Sequence, residues 1–326
     1  MIYTVTLNPA LDHYLEIDDL VMDDANRVTA ESCYAGGKGI DVSRAIRHLG
    51  GQSLALGFIG GRNGQTMMEL LKRDGVTSYF TTIAQETRRN IIINPQRRRF
   101  QTMLHSVGPV IAREEWDSFL THLRALDLRE SYVVVGGSLP RGLPEDAYRQ
   151  IVELVHEREA RAVVDADGAC MRAALEAKPY AIKPNVNELR RIIGQVISSE
   201  EELLEAARFL NRRGVAVVIV SRGAEGLLAV SKEGWFKTVP PKVTVRSTVG
   251  AGDSTVAGFV FQYANGKRLD ECVRFATACG TAATLAPGNQ LCRHRDVQRL
   301  LPQIHIERLN RGRRPGSTLR PRKGTR

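Results

Sequence analysis

The glycine-dense segment STVGAGDS, residues 247–254, is the part of the sequence best suited to chemistry. It follows a strand-like stretch, residues 242–246, and opens an apolar helix, so free N–H groups and the positive end of the helix dipole would face an anion. Asp253 lies in the first helical turn. Its carboxylate could accept a proton from a hydroxyl group while the amides of residues 250–252 neutralise charge on a transferring phosphoryl group. Ordinary helix-start chemistry also favours Asp at this position, so the segment alone leaves both interpretations open.

A second glycine cluster, GGKG at residues 36–39, precedes the helical pattern of residues 40–49. Glycines ahead of a helix allow a ligand to approach the backbone closely. Lys38 and Asp41 add groups that bind hydroxyls or charge. A plain turn followed by a helix start explains this cluster equally well on its own. The presence of both clusters in one chain favours a ligand site.

The elements around the two clusters alternate between short β-branched runs and longer amphipathic stretches. Strands are predicted at residues 2–7, 54–59, 132–135, 162–165, 180–182 and 215–220. Helices are predicted at residues 39–49, 64–74, 114–126, 145–159, 200–213, 253–263 and 269–285. Several of the strands are apolar throughout, as parallel strands covered on both faces are. The pattern predicts a doubly wound α/β sheet.

Two segments, residues 12–34 and 87–104, interrupt this alternation. Each alternates polar with apolar residues, as an antiparallel strand with one exposed face does. We expect the two segments to form a small sheet beside the main one, with the arginines at positions 97–99 on its solvated edge. Such a sheet could serve as a lid over a ligand site or as a dimerisation surface.

The composition excludes a membrane protein and a largely disordered chain. The 326 residues are 43% hydrophobic with a mean hydropathy of −0.22, and no apolar run is long enough to cross a bilayer. The opening residues, MIYTVTL, lack the features of an export signal, so a cytoplasmic location is expected. The five cysteines show no metal-ligand spacing, and most are expected to be small buried residues.

The net charge of +10 is concentrated at the end of the sequence. Residues 308–326 contain seven Arg, one Lys and no acidic residue, so they carry +8 and the remainder of the chain carries +2. This stretch has too few apolar residues to bury a core, and we expect a flexible basic tail at residues 307–326 after a domain spanning residues 1–306. A solvated tail is the simpler interpretation, and weak binding to RNA or other polyanions is the alternative.

Together, the two glycine clusters resemble the signatures of the ribokinase-like PfkB family of carbohydrate kinases, G-G-x-G-x-N and G-A-G-D. The resemblance covers residues 1–303 and is closest to the phosphosugar branch, which holds the minor bacterial 6-phosphofructokinase, 1-phosphofructokinase and tagatose-6-phosphate kinase. It implies a three-layer α/β/α sandwich with a mostly parallel central sheet and a small β-sheet lid. A homodimer joined through the lid sheet is expected, because the outer apolar face of that sheet needs a partner.

The resemblance implies a sugar site. In the opening TLNPALD segment, Asp12 matches the family's sugar-binding Asp. Arg88, shortly before Asn90, matches an Arg that binds the substrate's existing phosphate, because a guanidinium holds a phosphate through two hydrogen bonds. Arg27 is expected to serve the same phosphate in a neighbouring subunit. The implied substrate-binding residues are Asp12, Arg27, Gly36, Gly37, Lys38, Asp41, Arg88, Asn90 and, in GGSLPRG, Ser138.

The resemblance also implies a nucleotide site. The segment KPNVNE, residues 183–188, matches the family's N-x-x-E element, in which Asn185 and Glu188 organise Mg²⁺ through water. An Asn before a helix and a Glu three residues later also form a capping box without any ligand. The segment SRGAEG, residues 221–226, resembles the family's S-x-G-x-x-G along ATP. The implied ATP-binding residues are Lys183, Asn185, Ser221, Gly223, Gly226, Thr248, Gly250 and Gly252, and the implied catalytic residues are Asp253, Gly250, Ala251 and Gly252.

The sequence departs from the family pattern at two places. Asp41 stands where the signature has Asn, which places an additional negative charge at the sugar pocket. In APGNQLC, residues 286–292, the polar positions differ from a loop that is implicated in monovalent cation binding in the resembling 6-phosphofructokinase, so activation by potassium is left open.

The resemblance implies an ATP- and Mg²⁺-dependent phosphosugar kinase of carbohydrate metabolism, with a place in glycolysis. Residues 240–242, 247–254 and 291–292 favour 6-phosphofructokinase, which converts fructose 6-phosphate to fructose 1,6-bisphosphate. Tagatose-6-phosphate kinase and 1-phosphofructokinase are the alternatives within the family, because TLNPALD and GGKG resemble these enzymes as closely. A non-catalytic polyanion-binding protein on a kinase fold is the alternative from a different class.

Overall fold

The computed structural model describes residues 1–97, 101–288 and 290–309. The first strands are β1 (Ile2–Thr6), β2 (Ala10–Ile17), β3 (Val28–Gly36), β4 (Leu54–Ile59), β5 (Thr77–Thr82), β6 (Arg88–Pro95) and β7 (Thr102–Leu104). The later strands are β8 (Tyr132–Gly136), β9 (Arg161–Asp165), β10 (Ala181–Ile182), β11 (Val217–Ser221), β12 (Leu227–Ser231), β13 (Trp235–Val239) and β14 (His305–Leu309). The helices are α1 (Lys38–His48), α2 (Gly61–Arg73), α3 (Arg113–Ala125), α4 (Ala147–Glu157), α5 (Gly168–Glu176), α6 (Val186–Ile193), α7 (Glu200–Arg212), α8 (Ala251–Ala264), α9 (Leu269–Ala283) and α10 (His294–Leu300).

Ten strands form the main sheet in the order β14-β13-β12-β11-β10-β9-β8-β1-β4-β5. The strands from β5 to β11 in this order run parallel, and β12, β13 and β14 add an antiparallel edge. The apolar character of the predicted strands is explained by this arrangement, since a central parallel strand is covered on both faces. The predicted mostly parallel central sheet is confirmed.

Helices cover both faces of the main sheet. On β8, Val133 and Val135 pack with α3, α4, α5, α6 and α7, whereas Tyr132 and Val134 pack with α1, α8, α9 and α10. The alternation along β8 follows from the two-residue period of a strand. A smaller core joins α2 to β4 at the β5 side. The predicted three-layer α/β/α sandwich is therefore confirmed.

Several elements differ from the sequence-based prediction. The strands β5, β12, β13 and β14 and the helices α5, α6 and α10 were not predicted, and residues 242–246 do not form the expected strand. Because β14 pairs with β13 across His305–Leu309, residues 307–309 belong to the main sheet, and the predicted boundary at residues 306 and 307 falls too early. The remainder of the predicted tail, from residue 310, lies outside the described residues.

The two inserted segments form a separate four-stranded sheet in the order β3-β2-β6-β7, as expected. The antiparallel expectation is right for β2 with β3 and for β6 with β7, but β2 and β6 pair in parallel. These two strands come from different insertions, and the main-sheet elements between them provide the long crossover that a parallel pair needs. Arg97 is exposed and pairs with Asp18 at 2.7 Å, and positions 98 and 99 lie outside the described residues.

Two predictions from composition are tested by the fold. Within the described ranges, no helix combines the length and the apolar character that crossing a bilayer requires. Cys272, Cys279 and Cys292 are buried, and Cys33 and Cys170 are partly buried. The expectation of mostly buried cysteines is thereby confirmed.

Candidate active site

The carboxyl ends of the parallel strands meet the beginnings of α1 and α8 at one edge of the main sheet, where ligands bind in folds of this kind. Asp165 is the last residue of β9, and Lys183 follows β10 directly. Lys38 is the first residue of α1, and Asp253 lies in the first turn of α8. Four elements that are distant in the sequence therefore bring two cations and two carboxylates to one place.

Asp165 holds the two lysines. The ammonium group of Lys38 lies 3.0 Å from Oδ1 of Asp165, and that of Lys183 lies 3.4 Å from the same oxygen. Burial by itself would raise the pKa of Asp165, but the two ammonium groups more than compensate and lower it. Asp165 therefore remains ionised. It was not among the predicted site residues.

The start of α8 forms the predicted anion cradle. Gly250 caps the helix with a φ of 75°, a left-handed conformation that favours glycine. No described residue accepts a hydrogen bond from the amides of Gly250 or Gly252, whereas the amide of Ala251 donates to the carbonyl of Thr248 at 3.3 Å. A Cβ atom on Gly252 would lie 3.6 Å from Nζ of Lys183, so this lysine borders the cradle. Two amides and one ammonium group are thus available to an anion.

Asp253 has the ionisation behaviour of a general base. Burial raises its pKa to about 7; Lys38 and Lys183 oppose this shift, and Asp41 and Asp165 add to it. Burial would lower the pKa of Lys38, but Asp165 and Asp253 together raise it, so the lysine stays charged. A carboxylate with a pKa near neutrality can take a proton from a hydroxyl group at neutral pH.

Asp12 and Asn90 form a polar pair at the lid. They lie opposite each other on β2 and β6, and Nδ2 of Asn90 donates to Oδ1 of Asp12 at 2.8 Å. Burial raises the pKa of Asp12 to about 6, although the hydrogen bond from Asn90 and the charge of Arg88 lower it. A Cβ atom on Gly36 would lie 2.2 Å from Oδ2 of Asp12, so the glycine leaves room for this carboxylate. The pair can accept and donate hydrogen bonds to sugar hydroxyls.

Arg88 extends from the first position of β6. Its guanidinium donates to the carbonyl of Asn8 at 3.0 Å and to that of Ser106 at 3.3 Å. Its Nε is buried and has no hydrogen-bond partner among the described residues, and the same holds for Oδ1 of Asn8. Nδ2 of Asn8 donates to Oγ of Ser138 at 3.2 Å. Arg88, Asn8 and Ser138 therefore form one polar group with unused hydrogen-bonding capacity.

Asp41 does not stand at the sugar end as an uncompensated charge. Oδ1 of Asp41 lies 2.9 Å from Nη1 of Arg44, and Nε of the same arginine lies 3.0 Å from Oδ2 of Asp74. The guanidinium lies under the ring of Tyr34 at 5.6 Å and donates to the carbonyl of Ala35 at 3.3 Å. Arg44 thus neutralises the additional negative charge and ties α1 to the lid strand β3.

Three of the predicted nucleotide residues, Asn185, Ser221 and Gly223, are brought together. Asn185 and Ser221 meet in an isolated parallel bridge, and both border a cavity of about 450 Å³ that also includes Gly223. Asn185 and Glu188 form a reciprocal cap on α6: Glu188 N donates to Oδ1 of Asn185 at 2.9 Å and Asn185 N to Oε2 of Glu188 at 2.7 Å. The capping box that the sequence also allowed is therefore present.

The capped pair still suits magnesium held through water. The second carboxylate oxygen of Glu188 does not take part in the cap and can accept a hydrogen bond from a metal-bound water. Among the described residues, no group of three or more His, Cys, Asp or Glu side chains is arranged to hold a metal directly. Water-mediated binding is the mode that this donor set fits.

Two of the predicted residues are not brought into these groups, and Thr248 joins them only through its backbone carbonyl. Arg27 is exposed and makes no described contact with the sugar-end residues. Gly226 is buried, and a Cβ atom there would lie 2.0 Å from the carbonyl oxygen of Thr238, so close packing explains it without a ligand. Thr248 is exposed, and its carbonyl accepts from Ala251.

Sequence analysis missed Asn8, Arg44 and Asp165 as members of the site. Asp165 carried a signal, because it ends an apolar strand, and strand ends hold ligands in α/β sheets. Asn8 lies inside the TLNPALD segment that was singled out for Asp12. The position of Arg44 within the helical pattern of α1 gave no comparable signal.

A model of the pfkB family of carbohydrate kinases matches residues 5–296. The chain belongs to this family. A 1-phosphofructokinase from Borreliella burgdorferi is 35% identical over 308 residues, covering 94% of this chain and 98% of the relative. A 1-phosphofructokinase from Bacillus subtilis is 35% identical over 309 residues, covering 95% of this chain and 100% of the relative. Phosphofructokinase-2 from Escherichia coli, solved in complex with potassium, has a TM-score of 0.90 and 32% identity, covering 93% of this chain and 98% of that chain.

As a PfkB carbohydrate kinase, the protein transfers a phosphoryl group from ATP to a hydroxyl group of a sugar. The predicted enzyme class and the predicted use of ATP as co-substrate are confirmed by this membership. The non-catalytic alternative from a different class is not supported by it.

Proposed function

We propose that this PfkB kinase acts on a phosphosugar, and that the sugar is fructose 1-phosphate, which it converts to fructose 1,6-bisphosphate. The observation that carries the proposal is that two relatives, each aligned over nearly their full length, are both 1-phosphofructokinases. The sequence-based preference for 6-phosphofructokinase depended on residues 240–242, 247–254 and 291–292. None of these contributes a described contact to the sugar end at Asp12, Arg88 and Asn90, so that preference gives way to the alternative.

The phosphate of the sugar is assigned to Arg88. The buried Nε of this side chain lacks a partner among the described residues, and a phosphate oxygen would supply one. The guanidinium is already oriented by two backbone carbonyls, those of Asn8 and Ser106. An oriented guanidinium loses little side-chain entropy when it binds an anion.

The transfer step is assigned to Asp253 and the α8 cradle. The carboxylate takes the proton of the acceptor hydroxyl, the oxygen forms a bond to the γ-phosphorus of ATP, and the bond between that phosphorus and the β–γ bridging oxygen breaks to release ADP. The amides of Gly250 and Gly252, with that of Ala251 turned partly to Thr248, stabilise the negative charge on the phosphoryl oxygens. Lys183 borders the same cradle and adds positive charge.

Magnesium is proposed as the metal. When bound, Mg²⁺ would neutralise negative charge on the ATP phosphates, and Asn185 and Glu188 would hold it through water. Lys183, Ser221 and Gly223 are the residues of this chain that we assign to the nucleotide beside it.

A second candidate is fructose 6-phosphate, and the structural similarity to Escherichia coli phosphofructokinase-2 favours it. The two sugar phosphates share a furanose ring with a CH₂O group at each end, and phosphorylation of the free end gives one and the same product. Arg88 at one end and Asp253 at the other therefore accept either orientation in principle. Hydrogen bonds from Asp12 and Asn90 to the sugar hydroxyls then distinguish fructose 1-phosphate from fructose 6-phosphate.

Steady-state kinetics with Mg-ATP test the proposal. We expect the highest kcat/KM with fructose 1-phosphate, lower values with fructose 6-phosphate and tagatose 6-phosphate, and the lowest with unphosphorylated fructose. A higher value with fructose 6-phosphate would return the assignment to 6-phosphofructokinase. A preference for the unphosphorylated sugar would refute the phosphosugar class altogether.

The homodimer through the lid sheet stays a proposal. Its support is that residues 28–32 of β3, at the edge of the lid sheet, are exposed in the single chain. Light scattering is expected to give the mass of a dimer, and Val28→Lys is expected to shift it toward the monomer. A wild-type monomer under assay conditions would contradict the proposal. The same measurement with added RNA examines polyanion binding by the predicted basic tail, which lies outside the described residues from residue 310 onward.

A further inference from the structure

Asp165 is a buried carboxylate whose surroundings are unusual for a purely structural ion pair. It is 1% exposed at the end of β9, and neither of its carboxylate oxygens accepts a hydrogen bond from a backbone amide of the described residues. Its compensation comes from Lys38 and Lys183, which both approach the same oxygen. A buried charge is costly unless it is paired, so the carboxylate and the two ammonium groups constrain one another.

The two lysines reach Asp165 from different parts of the site, Lys38 from the sugar side and Lys183 from the nucleotide side. Lys38 begins α1, next to the glycines that border Asp12, and its side chain is 37% exposed. Lys183 is buried and follows β10, two residues before the Asn185 cap, with its Nζ beside Gly252 of the anion cradle. One carboxylate oxygen thus fixes a cation from the sugar side and a cation from the nucleotide side.

We propose that Asp165 is a positioning residue for phosphoryl transfer, whose buried carboxylate holds the ammonium groups of Lys38 and Lys183 where the γ-phosphoryl group passes from ATP to the sugar. The negative charge on that group is spread over its oxygens during transfer, and fixed cations stabilise it without reorganising. The proposal rests on the proposed role of Asp253 as the base, but not on the identity of the sugar.

Asp165 is one of the charged groups that surround Asp253. The charged groups facing Asp253 are Lys38 and Asp41 from α1, Asp165 from β9 and Lys183 after β10. Glu188 from α6 faces Lys38 as well. Removal of the charge of Asp165 therefore loosens two cations and, at the same time, removes a negative neighbour of the base.

The test uses Asp165→Asn, which keeps the shape of the side chain and removes its charge. With whichever sugar the wild type turns over fastest, we expect kcat to fall on the order of 100-fold, the size of effect that a misplaced reacting group produces. The acid limb of the kcat profile should move, because the substitution removes a charge that raises the pKa of Asp253 and loosens two ammonium groups that lower it. A loss of folded protein would lower kcat without moving this limb.

Asp167→Asn is the matched control. Asp167 lies in the same turn and pairs with Arg191 at 2.7 Å, but it is about half exposed and holds neither lysine. Its variant is expected to keep the wild-type kcat and acid limb, and equal effects of the two substitutions would overturn the specific role of Asp165.

A double-mutant cycle with Lys38→Met decides whether Asp165 acts through the lysine. If it does, Asp165→Asn should cost no more than about 10-fold in the Lys38→Met background, because groups that act as one unit are non-additive. An undiminished loss in that background would overturn the proposal. A wild type with normal turnover but a flat pH profile would instead contradict the assignment of Asp253, which separates the two failures.

Discussion

Activity is expected to fall steeply below about pH 7, because Asp253 must be ionised to take the proton of the acceptor hydroxyl. Burial raises its pKa from 3.8 to about 7, with Lys38 opposing the shift and Asp41 adding to it. Below the pKa of a general base, the ionised fraction falls tenfold per pH unit, so about a hundredth of the full rate remains at about pH 5. An ordinary Asp would stay ionised there and would not itself lower the rate.

The assay is kcat/KM for the sugar between about pH 5 and pH 9, with ADP quantified directly by chromatography so that no coupling enzyme limits the range. The phosphate of the sugar itself titrates near pH 6. Asp41→Asn separates the two titrations: the substrate is the same, but the variant loses a charge that raises the pKa of Asp253. Its acid limb should therefore lie at lower pH than that of the wild type.

Asp74→Asn is the control for this comparison, since Asp74 also pairs with Arg44 but is not among the groups that shift the pKa of Asp253. Its limb should coincide with the wild-type limb. A wild-type profile that is flat down to about pH 5 would refute the reasoning. So would an Asp41→Asn limb that coincides with the wild-type limb.

Three further predictions follow from contacts in the site. Arg88→Ala should raise the KM for the phosphosugar on the order of 10- to 100-fold with a smaller change in kcat, because a charge-assisted hydrogen bond to phosphate is lost; an unchanged KM would remove Arg88 from the site. Gly36→Ala would place a methyl group 2.2 Å from the carboxylate of Asp12 and should weaken sugar binding at least about tenfold by calorimetry; unaltered affinity would show that this carboxylate does not bind the sugar. Arg44→Met leaves its two carboxylate partners without their cation and should lower the free energy of unfolding by about 3–5 kcal/mol in urea, and a loss below about 1 kcal/mol would contradict the buried pairing.

The central strands and their covering helices could be predicted from the sequence because their patterns are local. Residues 132–135 are apolar throughout, and a strand buried on both faces needs nothing else to be recognised. The polar strand β5 (TSYFTT) lacks that signature, since an edge strand has one open side. The parallel pairing of β2 with β6 depends on elements that lie between them in the chain and is not encoded in either strand alone.

The candidate site was predictable where glycines or charged residues form a dense segment. STVGAGDS and GGKG mark the helix starts at which Asp253 and Lys38 lie. Asp165 was not predictable in the same way, because its role is defined by two lysines more than a hundred residues apart in the chain that only folding brings to one oxygen. The compensation of Asp41 by Arg44 is likewise a property of packing under the lid.

Substitution of Asp253 by Asn tests the central claim most directly. The variant keeps the size of the side chain and cannot accept the proton, so kcat should fall at least about 1000-fold while the dissociation constants of the sugar and of ATP, measured by calorimetry, stay within about threefold of the wild type. Turnover within about tenfold of the wild type, with both ligands bound normally, would contradict Asp253 as the base.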